Sequence, residues 1–266
     1  MFDSIAGDYD ALNHILSLDV DKIWRKKALK QIVDAPAPAQ VLDLACGTGD
    51  FSIAIAKALS RSHKRVGTPI EAHVKAPAKA PVEAQVTSTG FVTGDSGRSD
   101  LMTKGHVTGV DLSEGMLAVM REKVGKAGLT EMISIEEGDG ENLRFPDNTF
   151  DRVTIAFGIR NFEDRPKGLR EMLRVLKPGG RLVILELSRP ENKIIRWFYD
   201  LYFLHILPKV GGKVSGDKAA YAYLPASVAA FPGKKAFMAT MREAGFRAVT
   251  HKAFTLGICR MYTGEK

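Results

Sequence analysis

Two rhythms of apolar and polar residues alternate along this chain. Short, nearly unbroken apolar runs have the length of strands buried on both faces: "VLDLA" (41–45), "HVTGVDLS" (106–113), "MISIEEGD" (132–139), "FDRVTIAFGI" (150–159) and "RLVILELS" (181–188). Between them, apolar residues recur at helical spacing in "FSIAIAKAL" (51–59), in "EGMLAVMREKVGKAGL" (114–129), which Ser113 is placed to cap, and in "RPKGLREMLRVL" (165–176). "KPGG" (177–180) stops the last of these, since Pro178 has no amide hydrogen and Gly179 and Gly180 favour a turn. The chain closes with a helix, "KKAFMATMREAGF", and two strands at an edge in "RAVTHKAFTLGICRMYTGEK". Strand and helix in alternation predict an α/β fold, a doubly wound, mostly parallel sheet with its pocket outside the carboxyl ends of the strands.

Three segments break the rhythm. Residues 1–34 read as a helical cap, and 191–232 as a helical, aromatic-rich lid; both are placed to cover the pocket. Residues 60–106, rich in Pro, Ala, Gly, Ser and Thr, read as an irregular insertion that delays the second strand. All 266 residues are taken as one domain, long enough to bury a core without staples. No apolar stretch is long enough to span a bilayer, the N-terminus lacks a secretory pattern, and two cysteines make no disulfide framework, so a cytoplasmic, reducing setting is expected. Lys and Arg exceed Asp and Glu by seven, and three of the seven fall within the insertion. No basic run with interleaved aromatics appears, so no nucleic-acid partner is expected, and the histidines and cysteines have no metal-ligand spacing.

Candidate chemistry begins after the first strand. Gly47 and Gly49 allow a sharp turn and a close approach of backbone to ligand. The dinucleotide fingerprint needs a third glycine where Ser52 stands, and Asp50 at the helix start disfavours a pyrophosphate. A cationic ligand without phosphate, such as S-adenosylmethionine, suffers no such penalty. Asp111 is suited to accept both ribose hydroxyls, with a helix cap as the alternative. Asp139, in "EEGDGENLRF", is suited to the adenine amino group, with a plain turn as the alternative. Cys46 is given no nucleophilic role.

With these anchors in order, the chain resembles the class I S-adenosylmethionine-dependent methyltransferases, whose fold is a Rossmann-like seven-stranded sheet with an antiparallel strand at its C-terminal edge. "MFDSIAGDYDALNHILSLDVDKIWR", "VLDLACGTGD", "FPDNTFDRVTIAFGIRNFEDRPKGLREMLRVLKPGGRLVILELSRP" and "YDLYFLHILPKVGG" narrow the resemblance to the UbiE/MenG/COQ5 family, which C-methylates quinols of menaquinone and ubiquinone biosynthesis. The resemblance implies cofactor contacts from Gly47, Thr48, Gly49, Asp111, Asp139 and Gly140. Two departures stand out: Ala156 where serine is frequent, and the long insertion.

Methylation of a ring carbon requires alignment of the methyl group and stabilisation of a developing phenolate. Arg160 is the first candidate for that charge, with Asn161 to orient it; a surface ion pair with Glu163 or Asp164 is the alternative. Tyr9, beside Asp10, is a candidate contact to cofactor or quinol, with ordinary helix packing as the alternative. Trp197, Phe198, Tyr199, Tyr202 and Phe203, with His205 and Lys209 nearby, suit an apolar path for a polyprenyl tail as well as they suit a core. Demethylmenaquinol is the favoured substrate and the ubiquinone precursor or another small lipid or phenol the alternative. A nicotinamide-dependent reductase and a non-catalytic cofactor-binding protein are the readings from other classes. Expected partners are the prenylated quinol and, transiently, the membrane surface at the inner face of the cell membrane; homodimerisation is left open.

Overall fold

The computed structural model describes residues 20–33, 39–66, 105–202 and 218–266, without the side chains of 62–66 and 218–222. Tyr9, Phe203, His205, Lys209 and most of the expected insertion lie outside the described residues. Seven strands form one sheet: β1 (Gln40–Leu44), β2 (His106–Asp111), β3 (Ile133–Glu137), β4 (Phe150–Ala156), β5 (Leu176–Leu187), β6 (Arg247–Phe254) and β7 (Cys259–Glu265). Their order is β3-β2-β1-β4-β5-β7-β6. Strands β1 to β5 run parallel, and β7 is inserted antiparallel between β5 and the rim strand β6. The doubly wound, mostly parallel sheet read from the alternation is therefore the one that forms.

Both faces of the sheet are covered, which is why the strands read as continuous apolar runs rather than alternating ones. In β1, Val41 packs beneath α1 (Val20–Ile32), α2 (Asp50–Val66) and α3 (Glu114–Lys126). Leu42 and Leu44 point the other way, into a cluster with Leu169 and Met172 of α4 (Arg165–Val175) and Phe237 and Met241 of α7 (Lys234–Glu243). Helix α1, from the segment expected to be a cap, is a core layer: Trp24, Ala28 and Ile32 are buried at a spacing of four. Two further helices, α5 (Lys193–Leu201) and α6 (Lys218–Ala230), follow β5 and lie within the segment expected to form a lid.

Two boundaries differ from the sequence reading. Helix α2 runs to Val66, past the expected start of irregular chain at residue 60, since no Gly or Pro breaks the sequence before Gly67 and Pro69. The "KPGG" stretch lies inside β5: Leu176 pairs with Phe150, Arg181 with Arg152, and residues 177–180 bulge out between them, with Gly179 at φ 74°. The Ser113 cap forms as expected, its hydroxyl accepting from the Met116 amide.

Candidate active site

Strand order reverses between β1 and β4, and a crevice opens at their carboxyl ends. Both strands leave the sheet through strained residues. Ala45 follows β1 at φ 49° and Phe157 follows β4 at φ 63°, left-handed conformations that are uncommon for non-glycine residues. Ala45, Gly47, Ala156 and Phe157 form a wall common to two adjoining cavities, of about 440 and about 320 Å³.

The smaller cavity gathers Asp111, Asp139 and Gly140, together with the apolar Leu112, Met116 and Phe162. Asp111 ties the glycine loop to β2: one carboxylate oxygen accepts from the Gly47 amide at 2.8 Å and the other from the Ser113 amide at 2.9 Å. The helix cap is Ser113, so the alternative reading of Asp111 falls away. Asp139 accepts from the Glu141 amide at 2.8 Å, the plain turn weighed for it, and also lines the cavity. Gly140 is set by packing, since a Cβ there would stand 2.5 Å from the Phe162 ring. At Gly47, φ is 55° and a Cβ would meet nothing within 4 Å, leaving clearance at the cavity wall.

Thr48 lines the larger cavity, its hydroxyl accepting from Lys123 at 3.3 Å. The same lysine pairs with Asp50, and Arg25 stands 3.9 Å from that carboxylate. Asp50 is thus compensated by two cations, which weakens the repulsion of a pyrophosphate expected of it. Asp43 presents the more unusual acid. It lies one residue from the carboxyl end of β1, fully buried, accepts from the Ser52 hydroxyl at 2.6 Å and lines the larger cavity. Burial pushes its carboxyl up to about 7. The sequence reading gave Asp43 no role, although an acid inside an otherwise apolar strand was the available signal.

Arg160, on the short turn Ile159–Asn161 after β4, also lines the larger cavity. It is buried, not a surface residue pairing with Glu163 or Asp164. Its Nη1 donates to Glu186 at 3.0 Å and to the Phe157 carbonyl, its Nε donates to Ser227 at 3.3 Å, and its backbone amide donates to the second oxygen of Glu186 at 3.1 Å. Glu186 and Ser227, rather than Asn161, fix the guanidinium, and Nη2 is its one end-group nitrogen without a bond to a described residue. Asn161 lines the smaller cavity and accepts from the Tyr223 hydroxyl at 2.9 Å. Cys46 is held at the turn with its thiol pushed well up by burial and by Asp43 and Asp111, which keeps it a poor nucleophile.

The whole chain, residues 1–266, matches the model of the ubiE/COQ5 methyltransferase family. It belongs to that family. It is 40% identical over its full length to a demethylmenaquinone methyltransferase of Bacteroides fragilis, covering 91% of that protein. It is 43% identical to the ubiquinone/menaquinone biosynthesis C-methyltransferase UbiE of Geobacter sulfurreducens, covering 87%. A solved S-adenosylmethionine-dependent methyltransferase fold from Methanococcus maripaludis covers all of this chain and 94% of its own at TM-score 0.59 with 16% identity. As a member of the ubiE/COQ5 family the chain is a methyltransferase, and its cofactor is S-adenosylmethionine. The residues present fit that group: Gly47 leaves clearance, Asp111 and Asp139 offer carboxylates in one cavity, and Asp43 offers a buried carboxyl across the shared wall.

Proposed function

We propose that this chain methylates a ring carbon of demethylmenaquinol, a prenylated quinol, with Gly47, Thr48, Gly49, Asp111, Asp139 and Gly140 holding the cofactor. The observation that carries this reading is the larger cavity beside the cofactor cavity: Trp24, Phe157, Leu187, Phe198 and Ile258 make it apolar, and the Arg160 guanidinium is set into its wall. When bound, S-adenosylmethionine supplies a methyl group on a sulfonium for in-line attack by an electron-rich carbon. The chain's own task is to hold the quinol ring in line and to favour its phenolate. Arg160 is always charged, and Glu186 and Ser227 fix it before substrate arrives, so no reorganisation is needed as negative charge grows on the phenolic oxygen. Tyr9 is proposed to contact cofactor or quinol, and Asn161 to join the turn that carries Arg160 to the cofactor cavity. A substrate with a polyprenyl tail resides in the bilayer, so the enzyme works as a peripheral protein at the cytoplasmic face of the membrane.

Incubation with methyl-labelled S-adenosylmethionine and reduced demethylmenaquinone tests this reading. Label on a ring carbon by mass spectrometry is the expected result. Label on oxygen, or no transfer by protein that binds the cofactor, overturns it. The Geobacter relative is named for both quinone pathways, so the ubiquinone precursor belongs in the same assay as a second acceptor.

A further inference from the structure

Helix α5 is amphipathic in the wrong direction for a core helix. Ile194, Trp197, Phe198 and Leu201 stand at i, i+3, i+4 and i+7, the spacing of a buried stripe, yet they are 69%, 62%, 60% and 40% exposed. An adjacent side of the helix is the one that faces the protein: Tyr199 is buried, and Ile195, Tyr199 and Tyr202 line the larger cavity. Phe198 belongs to both, exposed on the stripe and lining the cavity. A second apolar group stands at the same cavity on a different element. Leu256 lines it, is 71% exposed, and is carried on a turn where Thr255 and Leu256 both hold positive φ, 45° and 57°. The backbone is thus strained in a conformation that leaves a leucine in water.

We infer that the α5 stripe and Leu256 form a docking surface for a lipid bilayer, which places the larger cavity's mouth against the membrane. The inference rests on the quinol reading above, because a prenylated substrate offers its ring to the cavity while its tail stays in the acyl region. The apolar stripe is continuous with the cavity lining through Phe198, so a tail leaving the cavity along it need not cross water. Arg189 is paired with Asp200 and Glu191 with Lys234 and Arg260, which leaves Lys193, exposed beside the stripe, and Arg196 as cations suited to anionic headgroups. Among the described residues no helix is long and apolar enough to cross a membrane, so the contact is interfacial. A second copy of the chain seated on the stripe would cover the entrance the substrate needs.

Full-length protein, vesicles of phosphatidylethanolamine and phosphatidylglycerol with brominated acyl chains, and the double variant I194Q/W197Q test this. Neither substituted residue lines the cavity. Of the two tryptophans, Trp24 is buried, so lipid quenching reports Trp197. Wild type is expected to float with the vesicles with its fluorescence quenched, and the variant to partition at least about tenfold more weakly. The variant should keep turnover on a short-tailed, water-soluble quinol and lose it on substrate embedded in vesicles. Wild type that neither floats nor is quenched overturns the inference, as does a variant that binds vesicles equally well. A wild-type dimer that the variant converts to monomer in sedimentation also overturns it and assigns the stripe to a second copy. If neither protein methylates the soluble quinol while vesicle binding still depends on Trp197, the quinol reading fails and the docking surface stands.

Discussion

Asp43 sets the strongest residue-scale constraint, because its carboxyl is carried by β1 into the sheet beneath the larger cavity. Its pKa is raised from 3.8 to about 7 chiefly by burial, so between those values the unfolded chain gives up the proton first. Stability should therefore fall as pH rises through this window, with a limiting slope of about 1.4 kcal/mol per pH unit, and level off above it. Asp43→Asn should flatten the slope in urea unfolding between pH 4.5 and 8. Affinity for the cationic cofactor should rise with pH through about 7 in wild type and not in the variant, read by calorimetry. The two loop glycines should separate in the same measurements. A Cβ at Gly49 would lie 2.4 Å from Met120 Cγ at φ 82°, so Gly49→Ala should cost about 2–4 kcal/mol of stability. Gly47→Ala meets open space and should cost only about 1 kcal/mol, while weakening cofactor binding more than folding. Arg160→Met alone strands the carboxylate of Glu186 inside the protein and should destabilise by about 3 kcal/mol or more. Pairing it with Glu186→Gln should restore much of that stability without restoring turnover, which separates the arginine's structural role from its chemical one.

Helix α6 and the turn after β4 behave as one unit at the element scale. Ser227 accepts from Arg160 and Tyr223 donates to Asn161, and just beyond the two elements the Arg165 guanidinium at the start of α4 lies 5.7 Å over the Phe231 ring. The wall between the two cavities is therefore braced from a helix more than sixty residues further along the chain. Tyr223→Phe removes one hydrogen bond and should cost about 1 kcal/mol. Hydrogen exchange should rise in α6 and the turn and stay unchanged in β1 and β5. The helices packed on the sheet were legible as apolar stripes of period 3.6; α6 was legible only as helical, because its polar anchors bond to a turn distant in sequence.

Continuous pairing of β1 with β2 organises the whole molecule, running from Gln40 with His106 to Leu44 with Val110 although 65 residues separate each outer pair. The stretch 67–104 joins α2 to β2 along the chain. Replacing that stretch by about ten Gly/Ser residues should leave the fold intact and raise stability by about 1 kcal/mol through the shorter loop closure. Calorimetric unfolding together with cofactor titration checks this, and loss of cofactor binding would assign the segment a role at the site.

The sequence by itself determined the alternation of elements, the parallel sheet, the glycine turn and the two acids after β2 and β3, because these depend on residues close together in the chain and on apolar runs that only a doubly covered sheet can bury. It did not determine which partner holds Arg160. Glu186 lies 26 positions away on the neighbouring strand and Ser227 lies 67 away, and only strand pairing and helix docking bring those charges and dipoles together. Nor did the apolar stripe of α5 declare its direction, since the same spacing serves a core or an interface. Tertiary packing decided it by turning Tyr199 inward and leaving Trp197 in water.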